Sequence, residues 1–309
     1  MESYNLPERE WISLIETIAR DDEIAKKGDI NDGYQKSDPP PANAAGGFAR
    51  AIEGNTIRLA KPPVGLLFSG GIDSTLLALL LKKNAIPFTC FSISMERGKD
   101  KASSAAIASA LGLKHIQSII TIGELEESIK EVIKILGEPD VLKVSVGCVE
   151  YFGMKKAKQH GCRTAFSGLG SEELFAGYKR HEEALERGYS AVKEECETGL
   201  KAMWQRDIQR IMALAEAVGI VAALPFLTQE VITAALRIPP EQKITREQDK
   251  LPVREYAQKL GLRKALAQKK KAAAQYGSWI IRGMDKLAKK NGYATKRELV
   301  ASYSIGALK

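Results

Sequence analysis

No stretch of this 309-residue chain approaches the 18 or so consecutive apolar residues of a membrane-spanning helix. Met1-Glu-Ser-Tyr also lacks the basic start and apolar core of a secretory leader, so the expectation is a cytoplasmic protein with no membrane partner. Cysteine is scarce: Cys90, Cys148, Cys162 and Cys196 show neither C-x-x-C spacing nor nearby histidines, a pattern that speaks against structural zinc and against a disulfide framework. Cys90 and Cys162 sit in apolar, strand-like contexts and read as small buried residues. The three histidines, His115, His160 and His181, are scattered and give a histidine metal site no support; His181 reads as a solvated helix residue. No internal repeat is evident, and only Lys269 to Ala274 is locally biased.

What is present is an enzyme-like composition, 44% hydrophobic, enough for one large or two modest cored domains. Charge is uneven. Residues 254–309 carry 14 Lys/Arg against 3 Asp/Glu, a local +11 within a chain of net +8, so the basic surface is C-terminal. Lys286, Lys289, Lys290, Lys296 and Arg297 could meet a nucleic-acid backbone there or form a solvated helix face.

Apolar periodicity places an amphipathic helix at Trp11 to Arg20, then a Pro/Gly-rich loop from Gly28 to Gly47. Strands are expected near 64–68, 88–93, 115–120 and 162–167. Helices are expected near 73–83, 101–111, 123–136 and 145–160, stopped by Asn84, Gly112, Gly137 and Gly161. This alternation predicts an α/β fold, a doubly wound, mainly parallel sheet with ligands at the carboxyl ends of its strands. Beyond Tyr178 strand signals fade. Helices near 181–196, 198–218, 228–237, 249–260 and 278–290 predict a C-terminal helical half. The organisation read from sequence is thus residues 1–60 as an N-terminal helix and flexible loop, then one domain over 61–309, with a sheet core over 61–180 and the helical part over 181–309.

At Gly65-Leu-Leu-Phe-Ser-Gly-Gly-Ile-Asp-Ser-Thr75 a buried apolar strand runs into a small-residue turn and a helix start. Gly70 and Gly71 permit a sharp turn with exposed N–H groups, and Ser69, Ser74 and Thr75 add hydroxyls at the positive end of the helix dipole. A phosphate or pyrophosphate suits such a cradle. No lysine occurs between Val64 and Leu81, which argues against the G-x-x-x-x-G-K-[ST] loop of γ-phosphate transfer. A second segment, Thr164-Ala-Phe-Ser-Gly-Leu-Gly-Ser-Glu-Glu-Leu-Phe-Ala-Gly-Tyr178, repeats the pattern of strand, Ser-Gly turn and helix. Glu172 and Glu173 fall in its first helical turn, where carboxylates suit the dipole and can face a cation.

The S-G-G-x-D-S loop resembles that of the N-type ATP pyrophosphatases, which split ATP between its α- and β-phosphates. Both segments together resemble the synthetase domain of the B-type, glutamine-hydrolysing asparagine synthetases and their relatives, the β-lactam synthetases. The resemblance covers roughly residues 61–282, with Trp204-Gln-Arg-Asp207, Pro225-Phe-Leu227, Ile238-Pro-Pro240 and Gln275-Tyr-Gly-Ser278 as supporting context.

That resemblance implies ATP as cosubstrate, with Ser69, Gly70, Gly71, Asp73 and Ser74 around pyrophosphate. It implies Leu67, Ile93 and Gly168 around the adenosine, and Ser167 and Tyr178 among the nucleotide-binding residues. Asp73 and Glu172 would hold Mg²⁺, Glu172 standing where the family has an aspartate. The family's catalytic lysine would be Lys270 or Lys271, depending on how the cluster from Lys269 is aligned. The implied reaction is adenylation of a carboxylate, aspartate by default, followed by attack of ammonia. Leu169 replaces a residue that is usually glutamate or another polar group, and Val221, Ala223 and Thr228 replace three charged ones. Two alternatives therefore stay open beside an altered carboxylate acceptor: adenylation of a tRNA base, and a nucleotide-binding relative that has lost catalysis. Relatives that use glutamine begin with a cysteine nucleophile, whereas here Glu2 follows Met1 and the first cysteine is Cys90. Ammonia from solution or from a separate glutaminase subunit is the corresponding expectation.

Overall fold

The computed structural model describes residues 2–28, 44–269 and 274–306. In chain order they form α1 (Glu8–Gly28), α2 (Ala44–Leu59), β1 (Val64–Leu67), α3 (Ile72–Lys83), β2 (Phe88–Met95), α4 (Asp100–Leu111), β3 (His115–Ile120), α5 (Ile122–Leu136) and α6 (Val141–Gln159). There follow β4 (Thr164–Phe166), α7 (Ser171–Leu174), α8 (Lys179–Leu185), α9 (Tyr189–Met203), α10 (Gln209–Val218), β5 (Val221–Ala223) and α11 (Gln229–Leu236). The last elements are α12 (Leu251–Lys259), α13 (Lys264–Ala267), α14 (Ala274–Gly277), α15 (Ile280–Lys290) and α16 (Lys296–Gly306). Of the Pro/Gly-rich loop, residues 29–43 lie outside the described residues, and Gly47 belongs to α2. No helix among the described residues is long and apolar enough to cross a membrane.

Two compact units divide the chain. One contains Ala60–Ser167, Arg206–Ala223 and Lys269–Lys309; the other contains Met1–Leu59, Gly168–Gln205 and Leu224–Gln268.

The first unit holds a five-stranded parallel sheet in the order β3-β2-β1-β4-β5. Parallel strands need long crossovers, and here helices supply them. Val64 to Leu66 and most of Phe88 to Met95 are buried, as befits strands covered on both faces. The α/β fold and its parallel sheet are those read from sequence. Strand order reverses at β1, whose neighbours are β2 and β4, so the crevice beyond the carboxyl ends of β1 and β4 is the switch point where ligands bind in such sheets.

Caps explain the helix ends. Thr121 accepts from the Glu124 N–H at 3.2 Å while the Glu124 carboxylate accepts from the Thr121 N–H at 2.7 Å, which starts α5. Asp140 accepts from the Lys143 N–H at 2.7 Å and opens α6 four residues before the expected position.

The strand β5 corrects the expectation that strands end before Tyr178. It pairs with β4 through Thr164↔Val221, Ala165↔Ala222 and Phe166↔Ala223. Three residues, two of them alanine, carry almost no intrinsic strand signal, so pairing with β4 defines it.

In the second unit, the helix expected near 181–196 is two helices, α8 and α9, parted at Arg187-Gly188. The one expected near 198–218, whose residues from Arg206 onward belong to the first unit, is interrupted by a wide π-type turn at Trp204–Ile208. The Trp204 indole N–H donates to Leu6 O at 2.8 Å, which suits a turn that redirects the side chain. Phe48, Phe175 and Phe226 form an aromatic core, with the rings of Phe48 and Phe175 4.6 Å apart between centroids. Burying each such ring contributes about 1.5–3 kcal/mol. Trp11 is buried as well, its indole N–H donating to Leu200 O at 2.8 Å.

Candidate active site

Beyond Leu67 the chain stays in register for one more residue, since the Phe68 N–H donates to Phe91 O at 2.8 Å. Ser92 Oγ donates to Phe68 O, and His115 Nε2 lies 2.8 Å from the same hydroxyl. Burial holds His115 below the ordinary imidazole range, so it braces this point as a neutral ring.

The turn then folds on its own side chains. The Gly71 N–H donates to Ser69 Oγ at 3.2 Å, Ser74 Oγ donates to Gly71 O at 3.2 Å, and the two hydroxyls lie 3.3 Å apart. Gly70 has φ +69°, and a Cβ on it would stand 2.8 Å from Ser104 Cα. Only glycine fits. The loop is thereby pressed against the first turns of α4, while α3 begins with the Thr75 N–H donating to Gly71 O at 3.0 Å.

This geometry suits an oxyanion. The Ser69 and Ser74 hydroxyls converge at the start of a 12-residue helix, and the buried Thr75 hydroxyl has no hydrogen-bond partner among the described residues. Asp73 stands in the first turn of α3, half-buried. Leu67 is half-buried on β1, and Ile93 is buried on β2. The basic cluster also reaches this unit: Lys269 Nζ donates to Ser103 Oγ at 3.1 Å, beside the Ser104 backbone that abuts Gly70. Lys270 and Lys271 lie outside the described residues.

Ser167 closes the unit's side of the second motif, its N–H donating to Ala223 O at 3.0 Å at the end of β4. From Gly168 onward the motif belongs to the helical unit. There Glu172 Oε1 meets Lys250 Nζ at 2.7 Å. Glu173 is fully buried, with Arg180 Nη2 at 3.9 Å, and the Arg180 guanidinium lies 4.2 Å over the Tyr178 ring. His181 is not solvated, which corrects the sequence reading. It is fully buried, and its Nδ1 accepts from the Tyr178 N–H at 3.0 Å. Burial first, then Arg180, Lys243 and Lys250, push its pKa down to about 3. The structure thus gathers Ser69, Gly70, Gly71, Asp73, Ser74 and Lys269 in the sheet unit, and Gly168, Glu172 and Tyr178 in the helical unit.

Sequence reasoning missed Lys250, Ser92 and Ser104. Each faces a partner remote in the chain, and none carries a local signal.

Among the described residues no group of three or more His, Cys, Asp and Glu could hold a metal unaided. Mg²⁺ needs no such cage, because it keeps waters and takes one or two carboxylates plus substrate phosphates. Asp73, beside a phosphate-shaped turn, fits that donor set. Of the three residues singled out in the segment 221–228, Val221 is exposed, Ala223 is buried in β5, and the buried Thr228 hydroxyl donates to Pro225 O at 3.2 Å. All four cysteines are buried and free, and burial pushes the Cys90 and Cys148 thiols up to about 12, far from nucleophilic.

Comparison with known proteins adds a family. The asparagine synthase family model matches residues 48–190 and 182–300. A putative glutamine-hydrolysing asparagine synthetase 1 of Methanocaldococcus jannaschii is 29% identical over 286 residues, covering 80% of this chain and 52% of that protein. Asparagine synthetase 3 of Arabidopsis thaliana is 30% identical over 60% of this chain and 33% of its own length. Asparagine synthetase B of Escherichia coli is 28% identical over 60% and 36%, respectively. The chain spans about half or less of the length of these curated relatives.

Proposed function

Because the chain belongs to the asparagine synthase family, we propose that it is an ATP-dependent carbon–nitrogen ligase that forms AMP and pyrophosphate. One observation carries this reading: the serine-lined turn at the carboxyl end of β1, at the sheet's switch point, with no lysine in it.

In the proposed reaction a substrate carboxylate oxygen attacks the α-phosphorus of ATP, and the α–β bridging bond breaks. Pyrophosphate leaves into the turn, where Ser69 and Ser74 donate hydrogen bonds and the backbone of Gly70 and Gly71 allows close approach. Leu67, Ile93, Ser167, Gly168 and Tyr178 complete the nucleotide-binding set, and Lys270 or Lys271 supplies positive charge. Ammonia then attacks the acyl carbon of the adenylate, AMP departs with the C–O bond electrons, and the ammonium proton passes to solvent. Asp73 and Glu172 are the proposed Mg²⁺ carboxylates; bound Mg²⁺ would neutralise phosphate charge. Aspartate is the proposed acceptor. The nitrogen source is free ammonia or ammonia passed from a separate glutaminase subunit.

A second reading, with another small carboxylate as acceptor, is favoured by Leu169, which can neither take a proton from the nucleophile nor accept a hydrogen bond from it. The test is AMP and pyrophosphate release from ATP–Mg²⁺ with aspartate plus ammonium, then with a panel of small carboxylates and bulk tRNA. Asparagine formed with AMP supports the first reading, and turnover with another acceptor the second. Tight ATP binding without pyrophosphate under any condition would overturn both.

A further inference from the structure

Lys250 is almost completely buried, yet lysine is strongly hydrated and costly to bury unless it is paired. Its place is built. The residue adopts a left-handed backbone, φ +52°, just before α12, and its N–H donates to Phe175 O at 3.2 Å. The ammonium then reaches Glu172 Oε1 at 2.7 Å.

The partner side is built too. Glu172 keeps 35% of its side chain exposed against 5% for Lys250, so the cation approaches from the interior while the acid remains at the edge. Beneath the pair lies Gly177, whose N–H donates to Glu172 O at 2.9 Å. A Cβ on Gly177 would come within 2.0 Å of Glu172 Oε2 and 2.1 Å of Lys250 Cε. A side chain at 177 would displace the ends of both partners, so glycine leaves the ion pair its room. Residues 172, 177 and 250 thus form one contact cluster.

We propose that Lys250, seated over Gly177, is the positioning residue that orients the Glu172 carboxylate for its cation. The inference rests on the reading of Glu172 as a metal carboxylate. Groups that hydrogen-bond a metal-binding carboxylate fix its orientation, and their removal costs about 10- to 100-fold in metal affinity.

The test is a titration of Mn²⁺, standing in for Mg²⁺, into the full chain with ATP present, with free ion read by electron paramagnetic resonance. This readout needs no turnover. Lys250→Met and Gly177→Ala are each expected to weaken Mn²⁺ binding about tenfold or more, and Lys250→Arg to retain it. Gly177→Ala removes neither charge and displaces only flexible side-chain ends, so it separates the pair even if Lys250→Met fails to fold. If both variants bind Mn²⁺ as the parent does while Glu172→Gln does not, Lys250 has no positioning role and the reading of Glu172 stands. If Glu172→Gln binds as the parent does, that reading falls and the positioning role with it.

Discussion

The Arg210 guanidinium grips the Glu150 carboxylate as a fork, Nε to Oε2 at 2.8 Å and Nη2 to Oε1 at 3.1 Å, and sends Nη1 to Asp207 Oδ1 at 3.1 Å. This network joins α6 to the start of α10 inside the sheet unit, where Arg210 is 3% exposed. Burial opposes the charge on Arg210, but Glu150 and Asp207 outweigh it and hold the guanidinium above its ordinary pKa. Removing one member leaves an uncompensated buried charge. Arg210→Met is expected to cost about 3–5 kcal/mol in urea unfolding, against far less for Lys130→Met, whose ion pair with Glu126 at 3.2 Å is exposed. Equal losses in the two variants would contradict the network's structural weight.

Gly70→Ala tests the loop. A left-handed backbone costs a non-glycine residue about 1–2 kcal/mol, and here the new methyl also meets Ser104 Cα, a backbone atom that cannot swing aside. Thermal unfolding should show a loss of at least that size, and ATP affinity should fall more steeply than stability, because the loop itself must move. Unchanged nucleotide affinity would mean that phosphate does not bind against Gly70.

Asp73→Asn tests the proposed metal carboxylate with little change of shape. The half-buried side chain sits in the first turn of α3, so losing its charge forfeits about 0.3–1 kcal/mol of helix-dipole stabilisation and leaves the fold intact. Pyrophosphate release is expected to fall by about 10- to 100-fold or more, with the loss eased at high Mg²⁺. Release at the parent rate would remove Asp73 from the reaction.

How far these residues were legible in the sequence depends on how local their causes are. The Ser69 to Thr75 loop could be read because strand, glycine pair, hydroxyls and helix start follow one another without interruption. The limits of α4 and α5 could be read because Gly112 and Gly137 end them in left-handed geometry. The strand β5 could not, because alanine has no strand preference and the ladder with β4 creates it. His181 and Lys250 were obscured for a related reason. A histidine amid Lys, Arg and Glu, and a lysine after aspartate, have the composition of a solvated surface, and only tertiary packing buries them.

His181 also gives the protein a pH-dependent stability whose sign follows from its burial. Its folded pKa of about 3 lies below the unfolded value of 6.5, so between these values the unfolded chain binds the extra proton. Stability attributable to this ring is complete above about pH 6.5 and drains away as pH falls toward 3, by at most about 1.4 kcal/mol per pH unit. His181→Asn keeps a side-chain acceptor for the Tyr178 N–H but has no proton to gain. The variant should start less stable at pH 7.5, because the packing of the ring is lost, and then lose less on acidification. Urea unfolding at pH 7.5, 6.5, 5.5 and 5.0 measures both slopes, and this range stays above the pH at which most carboxylates titrate. A steeper slope in the parent identifies His181 as a group whose protonation destabilises the folded chain. Parallel slopes would place the acid sensitivity elsewhere and show that the buried ring is protonated as easily as an exposed one.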